Sequence, residues 1–183
     1  MELVLLHGHD SMPGALLHVA DAVRARFSHV SVRLLTGPVR LASGRFAWWD
    51  EADPQFSSAG GALEWIRPKL AERPAIVAGF SQGGALALAV WSAGLEAVAG
   101  VASVGGFLAD DHPLAAGARS RSLFLGHGEA DDIVDVFHAE TLIRQATRLG
   151  ISHGSLVHAG GHEWTPDVTE AFLLWLEPLF GEG

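Results

Sequence analysis

Ala75-Ile76-Val77-Ala78-Gly79-Phe80-Ser81-Gln82-Gly83-Gly84-Ala85-Leu86-Ala87-Leu88 is the stretch whose reading decides the fold. Its first six residues form a short apolar run bounded by glycine and proline, the pattern of a strand buried on both faces. From Gln82 to Ala93 the chain is rich in alanine and leucine, with Gly94 just beyond, which predicts a helix and its C-terminal stop. Strand, tight glycine-flanked turn and helix therefore follow one another directly. That order belongs to a parallel sheet covered by helices.

The same alternation extends in both directions. Leu3 to Leu6 and Val30 to Leu35 read as strands around a helix from Ala15 to Phe27, whose Arg24 and Arg26 suit the negative end of the helix dipole. Gly37 to Ser58 is irregular, holds Pro38 and Pro54, and carries the pair Trp48-Trp49; a loop of that length is usually functional. Ala59 to Leu70 predicts a helix ending before Arg73-Pro74, and Val98 to Val104 a strand. Phe107 to Ser120 is again irregular. Ser122 to Gly126 and Ser155 to Val157 predict strands on either side of a helix from Val136 to Leu149. A final helix starts at Pro166, capped by Thr165, and runs to Phe180. Six strands with helices in most gaps imply an α/β architecture. With no repeat, low-complexity tract or linker, residues 1–183 are expected to form a single domain.

Composition narrows the function. At 49% hydrophobic and 18% charged, the chain is too apolar for disorder. A formal charge of −9 without a basic run makes nucleic acid and anionic membranes poor partners. Cysteine is absent, which excludes disulfides, thiolate metal sites and cysteine nucleophiles. Met1-Glu2-Leu3-Val4 lacks the basic region of a signal peptide, and no apolar run is long enough to span a bilayer. A soluble, cytoplasmic protein without stable membrane association is expected.

Chemistry in such sheets sits where strands end and helices begin. Gly79-Phe80-Ser81-Gln82-Gly83 occupies one of these junctions and matches G-x-S-x-G. The glycines admit a sharp turn that lifts the serine hydroxyl clear of the sheet, and the following helix aims free N–H groups at the same place. Gly150-Ile151-Ser152-His153-Gly154 matches too, but it follows a helix and precedes a strand, so no helix N-terminus backs its serine. That copy reads as an ordinary turn.

A serine nucleophile needs a base, and the base a carboxylate to fix its tautomer. His162 lies between the last strand and the last helix, in Gly160-Gly161-His162-Glu163-Trp164, and is the candidate base. His138 falls within a predicted helix, and His153 and His158 along a strand. The loop from Gly126 to Asp135 supplies Glu129, Asp131, Asp132 and Asp135; Asp131 is the first choice for the acid and Asp132 the second. The loop after the first strand, Leu6-His7-Gly8-His9-Asp10, is placed to contribute the His9 backbone N–H beside that of Gln82 as an oxyanion hole. The competing reading of His7-Gly8-His9 with Asp10 is a metal site, a weak pattern without a third ligand at defined spacing.

Together these segments resemble the phospholipase/carboxylesterase family of α/β-hydrolases, which includes bacterial carboxylesterases and acyl-protein thioesterases. Leu6 to Asp10 resembles that family's Leu-His-Gly-x-Gly-Asp loop, one glycine short. Trp48-Trp49-Asp50 is similar to its Trp-Phe-Asp segment, and Gly79 to Gly84 reproduces Gly-Phe-Ser-Gln-Gly-Gly. His127-Gly128 with Asp131 resembles its His-Gly-x-x-Asp loop, although Asp132 and Asp135 stand where proline is common. Gly161-His162-Glu163 resembles its terminal Gly-His-Glu. The resemblance implies Ser81 as nucleophile, Asp131 as orienting acid, His162 as base, and the His9 and Gln82 amides as the oxyanion hole. It also implies a minimal α/β-hydrolase fold, its six parallel strands in the order 2-1-3-4-5-6. This chain departs from the family's longer members by opening directly with the strand before the oxyanion loop.

The reaction expected is hydrolysis of small carboxylic esters through an acyl-enzyme, with no cofactor and no metal. It should weaken as pH drops below about 6.5, where imidazole takes up a proton. With no segment long enough for a cap domain, an open cleft roofed by residues 37–58 and 105–120 is expected. Met12, Phe46, Trp48, Trp49 and Trp164 are candidates to line it for a neutral small-molecule ester, although the two tryptophans read equally well as core. Thioesterase or lysophospholipase activity by the same triad is the alternative, and a non-catalytic binding domain on this scaffold the bland one. The sequence sets no oligomeric state.

Overall fold

A computed structural model describes residues 1–71, 73–108 and 121–181. Its elements are β1 (Glu2–Leu6), a 3-10 turn (Pro13–Leu16), α1 (Leu17–Arg26), β2 (Ser31–Leu35), β3 (Val39–Arg40), β4 (Phe46–Ala47), α2 (Ala59–Leu70) and β5 (Ala75–Phe80). They continue with α3 (Gln82–Ser92), β6 (Val98–Val104), β7 (Ser122–Gly128), α4 (Phe137–Leu149), β8 (His153–His158) and α5 (Pro166–Phe180).

Six strands form one sheet in the order β2-β1-β5-β6-β7-β8. Every pair in it is parallel, with Leu6 opposite Leu35 and Gly79, and Gly128 opposite His158. This is the α/β-hydrolase arrangement, and no cap domain is evident among the described residues. Both faces are buried by alternate residues of each strand. Val4, Leu6, Val77, Val101, Leu123 and Leu125 pack beneath α2, α3 and α4. Leu3, Leu5, Ile76, Ala78, Ala102 and Phe124 pack against α1 and α5. Helix α3 is buried at every position, which explains why its sequence is apolar all round rather than striped.

Most element boundaries follow the sequence reading within a residue or two, and Thr165 caps α5 by accepting a hydrogen bond from the Val168 N–H at 3.2 Å. Three departures have local causes. The helix expected from Ala15 starts as a 3-10 turn at Pro13, whose fixed φ suits a first helical position. Strands β7 and β8 are longer than expected because they pair with each other from Leu123 opposite His153 to Gly128 opposite His158. The irregular 37–58 stretch contains the antiparallel pair β3–β4, Val39 opposite Ala47 and Arg40 opposite Phe46, too short to leave a periodic signature. Of the second irregular stretch, Phe107 to Ser120, residues 109–120 lie outside those described. No described helix is long and apolar enough to cross a membrane.

Candidate active site

Ser81 sits between β5 and α3 with φ 55° and ψ −120°, a conformation rarely adopted by a residue with a Cβ. The turn is held from both sides: the Ser81 N–H donates to the Val104 carbonyl, and its own carbonyl accepts from the Ala85 N–H, both at 2.9 Å. The flanking glycines are steric requirements. A Cβ on Gly79 would overlap the Gly83 carbonyl, and one on Gly83 would strike the carbonyls of Leu6 and His7. Helix α3 thus lies directly against the loop leaving β1. Gly8 of that loop covers Ser81, a Cβ there falling 3.4 Å from that of the serine. Neither the His9 nor the Gln82 N–H donates to an acceptor among the described residues.

His162 is placed by a second pair of loops. The loop after β7 is zipped to the loop after β8: the Glu129 N–H donates to His158 O at 2.6 Å and the Ala130 N–H to Gly160 O at 3.0 Å. Gly128 lacks the Cβ that would collide with Gly161. The His162 ring rests against Phe80, centroids 4.8 Å apart, and over Gly105, where a Cβ would stand 3.1 Å from its Cε1. Gly105 also has φ +58°, so glycine serves there twice over.

Asp131 points its fully buried carboxylate at this ring. Oδ2 lies 2.7 Å from His162 Nδ1, and Oδ1 accepts the N–H groups of Ile133 and Val134, both at 2.9 Å. Burial pushes the carboxyl up, but the Val134 amide, the His162 ring and the Ile133 amide outweigh it and hold the group below its ordinary value. Asp132 is exposed and does not share these contacts. Because the carboxylate only accepts, Nδ1 carries the proton and leaves Nε2 as the basic nitrogen.

Ser81 and His162 line one cleft of about 390 Å³, with Phe80, Trp164, His18 and Glu163 among its walls. Of the five candidate lining residues, Trp164 is in this cleft and four are elsewhere. Trp48 is fully buried in the core, Trp49 packs half-buried beside it, Phe46 pairs with Ser11 through β4, and Met12 is exposed. The walls come from residues 8–18 and 162–164 rather than from 37–58, and the expected roof at 105–120 lies largely outside the described residues.

Two contributors had no signal of their own in the sequence, the Gln82 side chain and Gly105. His127, part of the His-Gly-x-x-Asp resemblance, has a role that motif did not assign it: its buried Nε2 donates to Val134 O at 2.8 Å beside Asp131. His7 is fully buried with both ring nitrogens engaged, Nδ1 donating to Gly8 O at 2.7 Å and Nε2 accepting from the Gly37 N–H at 3.0 Å. That leaves it no lone pair for a metal.

The family model described as Phospholipase/Carboxylesterase matches residues 63–174, a span that includes Ser81, Asp131 and His162. No curated protein matches the chain. Among solved structures, the esterase PE8 superposes with a TM-score of 0.81 at 22% identity, covering 96% of this chain and 90% of that one. The Bacillus cereus carboxylesterase gives 0.80 at 21% identity, covering 94% and 85%. The Zea mays acyl-protein thioesterase 2 gives 0.76 at 21%, covering 98% and 94%.

Proposed function

The chain belongs to the phospholipase/carboxylesterase family of ester hydrolases, and from that premise we propose that it is a serine carboxylesterase acting through Ser81, His162 and Asp131. The observation that carries the reading is the 2.7 Å Asp131–His162 hydrogen bond in the cleft where Ser81 heads α3, its hydroxyl bonded to none of the described residues.

His162 Nε2 takes the Ser81 proton as Oγ attacks the ester carbonyl. The His9 and Gln82 amides hold the oxyanion, each donor worth about 10²–10³ in kcat. The alcohol leaves with the proton from His162, and water, activated by the same ring, releases the acid and restores the serine. Asp131 stays ionised and stabilises the imidazolium. No step calls on a metal or cofactor, and a thioester would form the same acyl-enzyme. The substrate class is small, neutral carboxylic esters, and residues 1–183 act as one catalytic unit.

A p-nitrophenyl ester series of rising acyl length on wild type and Ser81→Ala tests this. Turnover of short chains that disappears in Ser81→Ala, with fluorophosphonate labelling at Ser81, supports the reading. A wild type that neither hydrolyses esters nor labels overturns it, as does hydrolysis that survives in Ser81→Ala. A marked preference for thioesters would reassign the substrate while keeping the triad.

A further inference from the structure

We propose that Trp48 and the side chain of Gln82 are positioning residues that lock the two halves of the oxyanion hole to one buried segment, residues 37–49. The proposal rests on the catalytic reading of Ser81 given above.

The two oxyanion amides belong to separate parts of the chain, His9 to the loop after β1 and Gln82 to the first turn of α3. They work as a pair only if their spacing is fixed before the charge develops. The Gln82 side chain does not enter the cleft. It turns into the protein, where Oε1 accepts the Trp48 N–H at 2.9 Å and Nε2 donates to the Trp49 carbonyl at 2.7 Å. Gln82 is thereby bonded to the 48–49 backbone as a neighbouring strand would be.

Trp48 carries the other connection. Its indole N–H donates to the His7 carbonyl at 2.7 Å, and its ring lies 5.0 Å from the His7 ring, tilted by 32°. His7 in turn is bonded to Gly37 and to Gly8, the residue before His9. Beyond His9 the same segment grips the loop again: Ser11 and Phe46 exchange backbone hydrogen bonds at 3.1 and 2.9 Å, and the Ser43 hydroxyl donates to the Asp10 carboxylate. Asp10 is held at φ 49°. The His9 amide is thus flanked on both sides by residues fastened to 37–49, and the Gln82 amide is fastened to the same segment through its own side chain. Trp48 and Gln82 are both buried, so water does not substitute for these bonds.

Trp48→Phe keeps an aromatic ring in the core and removes the indole donor along with part of the ring volume. Gln82→Met keeps the length of the side chain and removes both bonds. With active sites titrated by the acylation burst, Trp48→Phe and Gln82→Met are expected to lose about 10- to 100-fold in kcat per active site, a fraction of what a whole donor is worth. KM should stay within about twofold, since the loss falls on the transition state. Affinity for a trifluoromethyl ketone, which forms an oxyanion on Ser81, should fall by the same factor as kcat/KM. Unchanged kcat per titrated site in both Trp48→Phe and Gln82→Met overturns the proposal, as does a loss confined to the fraction of folded enzyme. Retained ester hydrolysis in Ser81→Ala instead overturns the catalytic reading beneath it.

Discussion

His162 Nδ1 lies 2.7 Å from Asp131 Oδ2, while Ser81 Oγ has no hydrogen-bond partner among the described residues. The proposed acid and base are thus already joined, while the proposed nucleophile is not bonded to the proposed base. The difference follows from where the bonds are anchored. Asp131 is fixed by two backbone amides of its own loop, and that loop is zipped to the one bearing His162. Ser81 is anchored only through its backbone, and its hydroxyl is left to the substrate. Bonds of this kind tighten when substrate arrives.

Asp131→Asn should therefore lower kcat by about 10³–10⁴ with little change in KM, because an amide no longer selects the Nδ1–H tautomer of His162. Asp132→Asn should stay within about twofold of wild type, its side chain being exposed and outside these contacts. Steady-state kinetics on the two variants decide which carboxylate orients the base. The reverse ranking would reassign the acid to Asp132.

His127 supports the same loop from beneath. Its ring is buried, donates to Val134 O at 2.8 Å, and stands 3.3 Å from Asp131 Oδ2. His127→Phe should cost about 1–3 kcal/mol of stability by leaving the Val134 carbonyl unpaired. It should also lower kcat, since the Val134 N–H is one of the two backbone donors on Asp131. Urea unfolding and kcat measured together test this, and a variant as stable as wild type would show that the bond carries little.

Two buried side chains, His7 and Asp131, are held below their ordinary pKa values and so couple stability to acid. Burial holds His7 below the ordinary imidazole value even though its bond to the Gly8 carbonyl opposes the shift. A second ring proton would also face the Gly37 N–H, donor against donor. A group whose pKa is lowered on folding stabilises fully above its unfolded value and loses that stabilisation as pH falls through the folded one. For His7 the loss begins below about 6.5. For Asp131 it begins only below about 3.9. Urea midpoints should be level from pH 8 to 7 and decline below 6.5, and His7→Gln should show a shallower decline between pH 6.5 and 5. Equal slopes in the two proteins would place the proton uptake on other histidines.

What the sequence reveals of this molecule depends on whether the determinant is local. The strand, turn and helix around Ser81 were legible because one stretch contains the period change and both glycines. The same holds for Thr165-Pro166 at the start of α5, a cap and a first-turn proline side by side. The order of strands, by contrast, was legible only through the family resemblance, since parallel neighbours are joined by no local signal. Trp48 shows the limit. An aromatic pair in a long loop is equally compatible with a substrate groove and with core, and only the tertiary placement of Gln82 and His7 beside it decides for core. Gly105 was hidden for a similar reason: its lack of a Cβ matters because the His162 ring, distant in sequence, rests on it.

Glycine substitutions turn that distinction into a measurement. At Gly83 a Cβ would collide with the Leu6 carbonyl and come within 2.5 Å of His7 O, both backbone atoms that cannot move without shifting the loop that bears His9. Gly83→Ala should cost about 3 kcal/mol or more and reduce ester hydrolysis further than the loss of folded protein explains. At Gly60, in the first turn of α2, the nearest atom to a new Cβ is Ser58 Oγ at 3.6 Å, an ordinary contact. Gly60→Ala should stabilise the fold by about 0.4–1 kcal/mol, chiefly by restricting the unfolded chain, and leave kcat unchanged. Thermal melts and kcat on both variants test the pair. A Gly83→Ala protein with wild-type stability would mean that α3 and the β1 loop are not pressed together, and the steric account of the serine turn would fall with it.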